Sequence, residues 1–413
     1  MSADLRQHYL ELCVALSQPV KPFIAEMLSQ ASQKQDQLSH EIIINIAGNN
    51  RLVPVQRVTD EDALVLSYAL RSNMSITGLD LRYNRLTDKG AEYVGRLIQE
   101  APALRYLNLM CNDIGTKGAE FLANALHKNE SLKCLKMTGN KIGNIGGMCF
   151  ASMLQINFTL EELDLGDCDL DTASLIGLST VLHQNKNIRS INLNRPLLYS
   201  QQEETTVHIA LMLKENSVLR ELHLSKHEMT DYGVKCLFDA LQENVTLQYL
   251  DLSCNRITRD GVKWLAKLLE QNTTLEILDL TSNRMEDDGA IYLSEAISIC
   301  NNTLKALAVV SNNITGKGLV ALATSLSRNR MLSYIYIWGN KFDEASCVAF
   351  SDLINVGRLK PSDTDVRPYV VDGRVYLAEL FHGLRKHYYW TPSYGEVDSF
   401  DCNSSLAIRA STA

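Results

Sequence analysis

One pattern of apolar and polar positions repeats along the chain, and residues 247–269, LQYLDLSCNRITRDGVKWLAKLL, carry it in full. Leucines first alternate with other residues, which predicts a short strand with one buried side. Asn255 follows in a predicted turn. From Gly261 the apolar residues recur at three or four positions, as at Leu265 and Leu268, which predicts an amphipathic helix.

The asparagine position marks the period of this unit. It is occupied in turn by Asn84, Asn112, Asn140, Cys168, Pro196, His227, Asn255, Asn283, Asn312 and Asn340. Most neighbours in this series are 28 residues apart. A glycine stands six residues after most of them, as at Gly118 and Gly261. We expect this glycine to let each helix start close to the backbone of its neighbour.

A unit of this length holds one strand, one turn and one helix, and it cannot bury its apolar side alone. Stacked units would place their strands in a parallel sheet about 4.8 Å apart, whereas helices are about 10 Å across. The fold is therefore expected to be an α/β horseshoe solenoid of about 11 repeats, with strands on the concave face and helices on the convex face. The asparagine side chains should form a ladder to the backbone of the turns.

The order L-x-x-L-x-L-x-x-N-x-L followed by a helix is the signature of leucine-rich repeats. Residues from about 41 to 355 resemble the ribonuclease-inhibitor-like subfamily, and the asparagine with its glycine also resembles the arrays of Ran GTPase-activating protein and of NOD-like receptors. The resemblance implies a protein-binding scaffold without catalysis. It also implies a place in the cytoplasm, nucleus or nucleolus, with ribosome biogenesis or the regulation of stem and germ cells as narrower settings. Similar proteins occur in ciliary axonemes.

The segments outside the array, which we place at 41–355, are expected to cap it. Residues 1–40 contain two stretches with helical spacing that would cover the first repeat, with a separate docking helix as the alternative. Residues 356–413 begin with a hairpin around an Asp-Gly turn and continue into an aromatic stretch and a polar tail. The aromatic residues expected to cover the last repeat are Tyr369, Tyr376 and Phe381.

The array has one irregular place. Pro196 occupies the asparagine position, where it removes a donor and interrupts the ladder. Extra residues follow near Gln201 to Glu204, before a helix predicted over 207–213. A surface insertion without function and a loop that touches a partner both explain this feature.

Composition and charge narrow the classes of partner. The net charge of −8 argues against a nucleic acid or an anionic membrane as the main partner. No apolar run reaches the length of about 20 residues that a membrane helix needs, and the polar start does not resemble a signal peptide. The ten cysteines are scattered, and we expect them to be reduced. The N-x-S/T sites follow predicted helices, where a left-handed asparagine is expected to end each helix.

The sequence contains no complete motif for catalysis, phosphate binding or metal binding. The glycine-rich stretch 139–147, GNKIGNIGG, is the turn and helix start of one repeat and not a P-loop. His223 and His227 lie four residues apart on a strand and its turn, without a third ligand. We therefore predict no cofactor, no metal and no enzymatic activity.

The residues that alternate with the buried leucines are expected to face the concave surface. Among them Glu221, His223, Asp251 and Asp279 form an acidic patch around one histidine, with Tyr249 in the same region. A solvated face, a site for a basic partner segment and an acid–base pair without a closed pocket are the three interpretations. Asp251→Lys with Asp279→Lys is expected to leave the fold intact and to abolish partner binding.

The last regular strand presents Tyr334, Tyr336 and Trp338 at alternate positions, with Val310 beside Trp338. All three are expected to face the concave surface, where clustered tyrosine and tryptophan are typical of interface anchors. The alternative is that the C-terminal hairpin folds over them.

These features predict a non-enzymatic scaffold that binds a protein on its concave face, between Glu221 and Trp338. A regulator of a small GTPase, by resemblance to Ran GTPase-activating protein, is the first alternative, although that protein has an acidic tail and this one an aromatic tail of mixed charge. A structural component of a ciliary axoneme is the second.

Overall fold

A computed structural model of the chain describes residues 4–36, 42–49, 56–198 and 203–380. The Cα positions divide the chain into two compact units, the first up to Leu197 and the second from Leu198.

The first unit alternates helices and strands after two helices at its start. Its elements are α1 Leu5–Ala15, α2 Pro22–Asp36, β1 Ile42–Asn45, α3 Asp60–Leu70, β2 Ile76–Asp80, α4 Asp88–Glu100, β3 Tyr106–Asn108, α5 Thr116–Leu126, β4 Cys134–Lys136, α6 Gly143–Leu154, β5 Glu162–Asp164, α7 Thr172–Leu182 and β6 Ser190–Asn192.

The second unit repeats the alternation and ends in a hairpin. Its elements are α8 Glu204–Glu215, β7 Glu221–His223, α9 Asp231–Leu241, β8 Tyr249–Asp251, α10 Arg259–Gln271, β9 Ile277–Asp279, α11 Glu286–Ile299, β10 Ala306–Ala308, α12 Gly316–Arg328, β11 Tyr334–Tyr336, α13 Glu344–Asn355, a 3-10 turn at Pro361–Asp363, β12 Val366–Val371 and β13 Arg374–Glu379.

The strands pair in parallel and in chain order within each unit, from β1 to β6 in the first and from β7 to β11 in the second. The central leucine of each strand, such as Leu250 or Leu278, is fully buried together with apolar residues of the helices. The predicted leucine-rich repeat fold, with its alternating strands and helices, is confirmed.

The asparagine ladder is also confirmed. Asn112 is typical, since its side-chain amide donates to the carbonyl oxygen of Leu81 in the preceding repeat at 3.0 Å and to that of Leu109 at 2.9 Å. Its side-chain oxygen accepts from the backbone N–H of Leu86 at 3.1 Å. The same position makes equivalent bonds at Asn84, Asn140, Asn255, Asn283, Asn312 and Asn340.

A second series of asparagines lies at the ends of the helices, and its role differs from the predicted one. The left-handed conformation was expected there, but the caps Asn216, Asn272 and Asn329 have φ of −72°, −77° and −89°. The hydrogen bonds of Asn157 show why asparagine stands at the helix ends. Its amide donates to the carbonyl of Leu126 in the preceding repeat at 2.7 Å, and its side-chain oxygen accepts from two following backbone N–H groups.

A series of carboxylates joins the helix starts of successive repeats. Asp88 accepts from the backbone N–H of Gly115 at 2.6 Å and of Gly118 at 2.9 Å. A Cβ atom on Gly118 would lie 2.8 Å from that carboxylate and 3.0 Å from Ala91 Cβ. The nearest atom would be Cγ2 of Ile114 in the same repeat, at 2.5 Å. The glycine therefore makes room for side chains of its own turn and of the preceding helix, where we expected the backbone of that helix.

The irregular place lacks the usual ladder. Cys168, at the asparagine position of its repeat, donates one bond from Sγ to the carbonyl of Met137 at 3.2 Å. The backbone N–H of Leu197, which follows the proline, donates to Leu170 at 2.7 Å. Residues 199–202 lie outside the described part, so the prediction of a partner-contacting loop stays a prediction. Glu203, just after it, accepts from the N–H of Thr230 at 2.5 Å.

The segments before and after the repeats pack on the first and last of them. Helix α1 contacts α2 and α3, and α2 contacts β1. At the other end the carboxylate of Asp365 accepts from the backbone N–H groups of Ile337 and Trp338, each at 2.9 Å. Both residues follow the last repeat strand. The N–H at the position of Ile337 is bound elsewhere by the next repeat, as Leu81 N–H is by the Asn108 carbonyl, so Asp365 satisfies a donor that another repeat would otherwise bind.

The C-terminal hairpin covers the last repeat with a different face from the predicted one. Val366 is fully buried and Leu377 is 7% exposed, whereas Tyr369 and Tyr376 remain 46% and 41% exposed. The prediction for the two tyrosines is therefore wrong, because side chains alternate along a strand and the valine–leucine face packs on the repeat. Phe381 lies outside the described residues.

Candidate protein-binding surface

The parallel register brings the predicted site residues of the second unit together. Glu221 pairs with Tyr249, and His223 with Asp251. Asp251 pairs with Asp279, and the same rows continue to Tyr334 and Tyr336 on β11. In each repeat of this unit, the residues on either side of the central leucine point to one face of the sheet, and so does the residue two positions after the second of them. We call the surface formed by these side chains the inner face.

Burial of the acidic patch is the main departure from the sequence-based expectation. Asp251 is 2% exposed and Asp279 5%, and Glu221, His223 and Tyr249 are also buried. Among the described residues, Asp251 is flanked by His223 on one neighbouring strand and by Asp279 on the other. The interpretation as a solvated face is wrong. Two lysines at the aspartate positions would therefore disturb the fold that we expected them to leave intact.

The patch is electrostatically asymmetric. Burial by itself would raise the pKa of Asp251. His223 opposes this through its hydrogen bond and its charge, since its Nδ1 lies 3.4 Å from the carboxylate, and Ser253 adds further hydrogen bonds. Together they bring the pKa of Asp251 below its ordinary value. Burial and, next, the negative charge of Asp251 raise the pKa of Asp279 to about 7. One carboxylate is thus held ionised, and the other is about half protonated near pH 7.

A buried apolar cluster occupies the inner face beside this patch. Its members are Tyr249, Ile277, Ala306, Ala308 and Tyr336, with Val310 and Tyr334 packed against it. The change is visible in the sequence. The residues before and after the central leucine are Glu221 and His223 on β7, and both are alanine on β10, Ala306 and Ala308. Alternation alone does not predict the cluster, because it assigns side chains to a face of the strand but not to packing contacts with one another.

The three aromatic residues of the last strand have different environments. Tyr336 is fully buried, so the expectation that all three are accessible is wrong for it. Tyr334 and Trp338 are partly exposed. The Trp338 ring lies 5.8 Å from that of Phe342. We call Val310, Tyr334 and Trp338, which all retain exposed surface, the aromatic rim.

The corresponding face of the first unit is polar. Arg82 Nε lies 3.3 Å from the Asp80 carboxylate, and Lys136 Nζ lies 5.0 Å from the centre of the Tyr106 ring. Thr138 donates to Asp164. Apolar side chains on the inner face are therefore not a requirement of the repeat, whose core is supplied by the leucines.

The described residues contain neither a metal-binding group nor a membrane-spanning helix. Within these ranges no group of three or more His, Cys, Asp or Glu side chains is placed to hold a metal ion. In the same part of the chain, no helix combines the length and apolar character needed to cross a bilayer. The nine cysteines described there are free.

The profile of the family described as Leucine Rich repeat matches residues 72–95, 102–123, 128–151, 157–179, 215–238, 243–266, 271–294 and 300–323. A chain of the Rad7 and Elc1 complex in yeast matches 83% of this chain with 89% of its own, at 14% identity and a TM-score of 0.42.

Three relatives are similar along nearly the whole chain, and all are named leucine-rich repeat-containing protein 34. The one from Mus musculus is 56% identical over 405 residues, which are 98% of each chain. The one from Homo sapiens is 56% identical over 98% of this chain and 88% of its own. The one from Rattus norvegicus is 56% identical over 95% of each. The chain therefore belongs to the family of leucine-rich repeat proteins that includes leucine-rich repeat-containing protein 34.

Proposed function

We propose that the chain is a non-enzymatic scaffold that binds another protein on the inner face of its second unit. The observation that carries this proposal is the apolar cluster bordered by the aromatic rim. Leucine-rich repeats generally serve protein–protein interaction, and their strands offer a rigid surface of stacked side chains.

The aromatic rim is suited to be the primary contact. Tyr334 and Trp338 combine exposed surface with a packed base, since Tyr334 rests on the cluster and Trp338 on Phe342. Aromatic side chains held in this way lose little conformational entropy on binding and are common at the centres of interfaces. Thr281, partly exposed on the same row as Val310, would extend the contact toward β9.

The acidic patch has a supporting role in this proposal. Asp251 and Asp279 are buried below the contact level, so a basic partner side chain would not meet them at an open surface. Their ionisation instead affects the stability of the strands that hold the aromatic rim. In this proposal apolar and aromatic contacts provide most of the binding energy. Charged side chains contribute less to partner binding than the sequence alone indicates.

Trp338→Ala is expected to weaken partner binding at least tenfold, because it removes the largest side chain of the aromatic rim. The matched control is Trp264→Ala on α10, where the tryptophan is also partly exposed and lies 5.2 Å from Phe238. Each variant should lose about 1 to 3 kcal/mol of unfolding free energy. Thermal melts and quantitative co-purification from cells provide the two readouts.

The proposal fails if both tryptophan variants retain the same partners in the same amounts. A cap-only role for Trp338 would appear as a stability loss well above that of Trp264→Ala, with binding to the folded protein unchanged.

Narrower settings rest on resemblance alone. We keep a nucleolar role in ribosome biogenesis, or one in stem and germ cells, as proposals that imaging of the tagged chain tests. The two alternatives, GTPase regulation and an axonemal role, gain no support from the described residues. The tail that distinguishes the chain from Ran GTPase-activating protein lies outside them.

A further inference from the structure

The hairpin of β12 and β13 has one face that the fold uses and one that it does not. Val366 and Leu377 are buried against the last repeat, and β13 contacts α13. The residues that alternate with them form the second face, which we call the tyrosine–arginine face. It consists of Arg367, Tyr369 and Val371 on β12 and Arg374, Tyr376 and Ala378 on β13.

Five of the six side chains of the tyrosine–arginine face are exposed, and Ala378 is half-buried. Tyr369, Val371 and Tyr376 are 46%, 48% and 41% exposed, and both arginines are exposed as well. Because the other face and Asp365 supply the contacts with the last repeat, capping does not account for this concentration of large side chains.

The two tyrosines form a preformed platform. They are directly opposite each other across the hairpin, and their rings are stacked at 5.6 Å with an angle of 27°. A cross-strand aromatic pair holds both rings in place before a ligand arrives. Tyrosine and arginine are also the residue types that dominate the binding energy of protein interfaces.

The arginines lie at opposite ends of this platform. Arg367 is opposite Ala378, and Arg374 is opposite Val371, so the tyrosine pair falls between them. Neither arginine forms an ion pair within the described chain, although the chain as a whole carries a net charge of −8. The pair that contains Arg367 and the pair that contains Arg374 are four positions apart along the strands, which is about 13 Å.

We propose that the tyrosine–arginine face binds an acidic segment of a partner protein. The segment would be extended and would carry a carboxylate, an apolar residue and a second carboxylate at alternate positions. In that arrangement the apolar side chain covers the tyrosine pair, and each carboxylate reaches one arginine, because residues four apart in an extended chain are also about 13 Å apart. Guanidinium groups bind carboxylates with two parallel hydrogen bonds.

A protein segment fits this face better than a nucleic acid. Bases would also stack on tyrosines, but the negative charge of the whole chain repels a phosphate backbone at long range. Two carboxylates on a short peptide carry much less charge and need only the two arginines. The site shares no residue with the aromatic rim and does not depend on the function proposed for it.

The test uses the full chain and a fluorescein-labelled peptide with the series Glu-Thr-Leu-Thr-Glu between glycines. Fluorescence anisotropy should show binding that weakens with salt and is at least tenfold tighter than that of the same peptide with lysine in place of both glutamates. Arg367→Glu with Arg374→Glu should abolish the preference. Arg328→Glu with Arg330→Glu, the same charge change at another exposed pair, should leave it unchanged.

Tyr369→Ser with Tyr376→Ser provides a second variant and should weaken binding at least fivefold while the arginines remain. Equal binding of the glutamate and lysine peptides would overturn the proposal, as would equal losses in both arginine pairs. Tighter binding of oligothymidine through the same residues would assign the face to nucleic acid instead. Self-association abolished by the tyrosine variant, without peptide binding, would assign it to a second copy of the chain.

Discussion

Asn140→Ala is expected to lower the unfolding free energy by about 3 to 5 kcal/mol. The Asn140 side chain is fully buried. Its amide donates to the carbonyls of Leu109 at 2.8 Å and Met137 at 2.7 Å, and its oxygen accepts from the N–H of Ile114 at 3.2 Å. Alanine removes the side-chain acceptor of the buried Ile114 N–H, and it removes one of the donors that the Leu109 and Met137 carbonyls share with Asn112 and Cys168.

The control for this change is Asn124→Ala on the exposed side of α5. It removes the same atoms from a helix surface, where alanine is the better helix former, and should leave stability unchanged or slightly raised. Urea unfolding of both variants gives the comparison. A loss below about 1 kcal/mol at Asn140 would show that the ladder is not a main source of stability.

Neutralising the two inner-face aspartates is expected to have opposite effects on stability. The pKa of Asp279 is raised to about 7, against about 3.9 in an unfolded chain. Its contribution to stability is therefore fully present below pH 4 and is lost as pH rises through 7. Asp279→Asn removes this loss and should stabilise the protein at pH 8 by roughly 2 to 4 kcal/mol. The asparagine oxygen can still accept from Thr281 N–H.

Asp251→Asn should instead destabilise the protein at pH 8. The pKa of Asp251 is lowered, so its ionised form contributes stability above the unfolded pKa, and that contribution is lost as pH falls through the folded pKa. The variant also removes a charge that raises the pKa of Asp279, which offsets part of the loss.

Thermal melts of the wild type and both variants at pH 4, 6 and 8 test the pair. The gain from Asp279→Asn should shrink steadily from pH 8 to pH 4. A gain that is independent of pH, or losses of equal size in both variants, would contradict the assigned electrostatics.

The leucine and asparagine periods were sufficient to predict the repeat and its ladder, because buried backbone groups in a stacked turn need a partner of one size and polarity at one position. The helix-end asparagines are as regular in the sequence, but their role was misread. Asn157 bonds across to the preceding repeat, and an intra-repeat pattern does not reveal a partner 31 residues away.

Exposure was the property least accessible to sequence reasoning. Alternation places Asp251 and Tyr369 on a particular face of a strand, but whether that face meets water depends on what packs beside it. Asp251 is buried although it lies on the inner face, and for Tyr369 the opposite face of the hairpin takes the cap contact. Both outcomes depend on packing between side chains that no single period encodes.

The most direct test of inner-face binding is site-specific photo-crosslinking in cells. A photoreactive phenylalanine is placed at Val310, within the aromatic rim, or at Tyr232 on α9, which is 60% exposed outside the inner face. We predict protein adducts at Val310 that are absent at Tyr232 and that disappear when Trp338→Ala is added. The same adducts at both positions, or adducts at Val310 that persist in the Trp338→Ala background, would contradict the proposed binding surface.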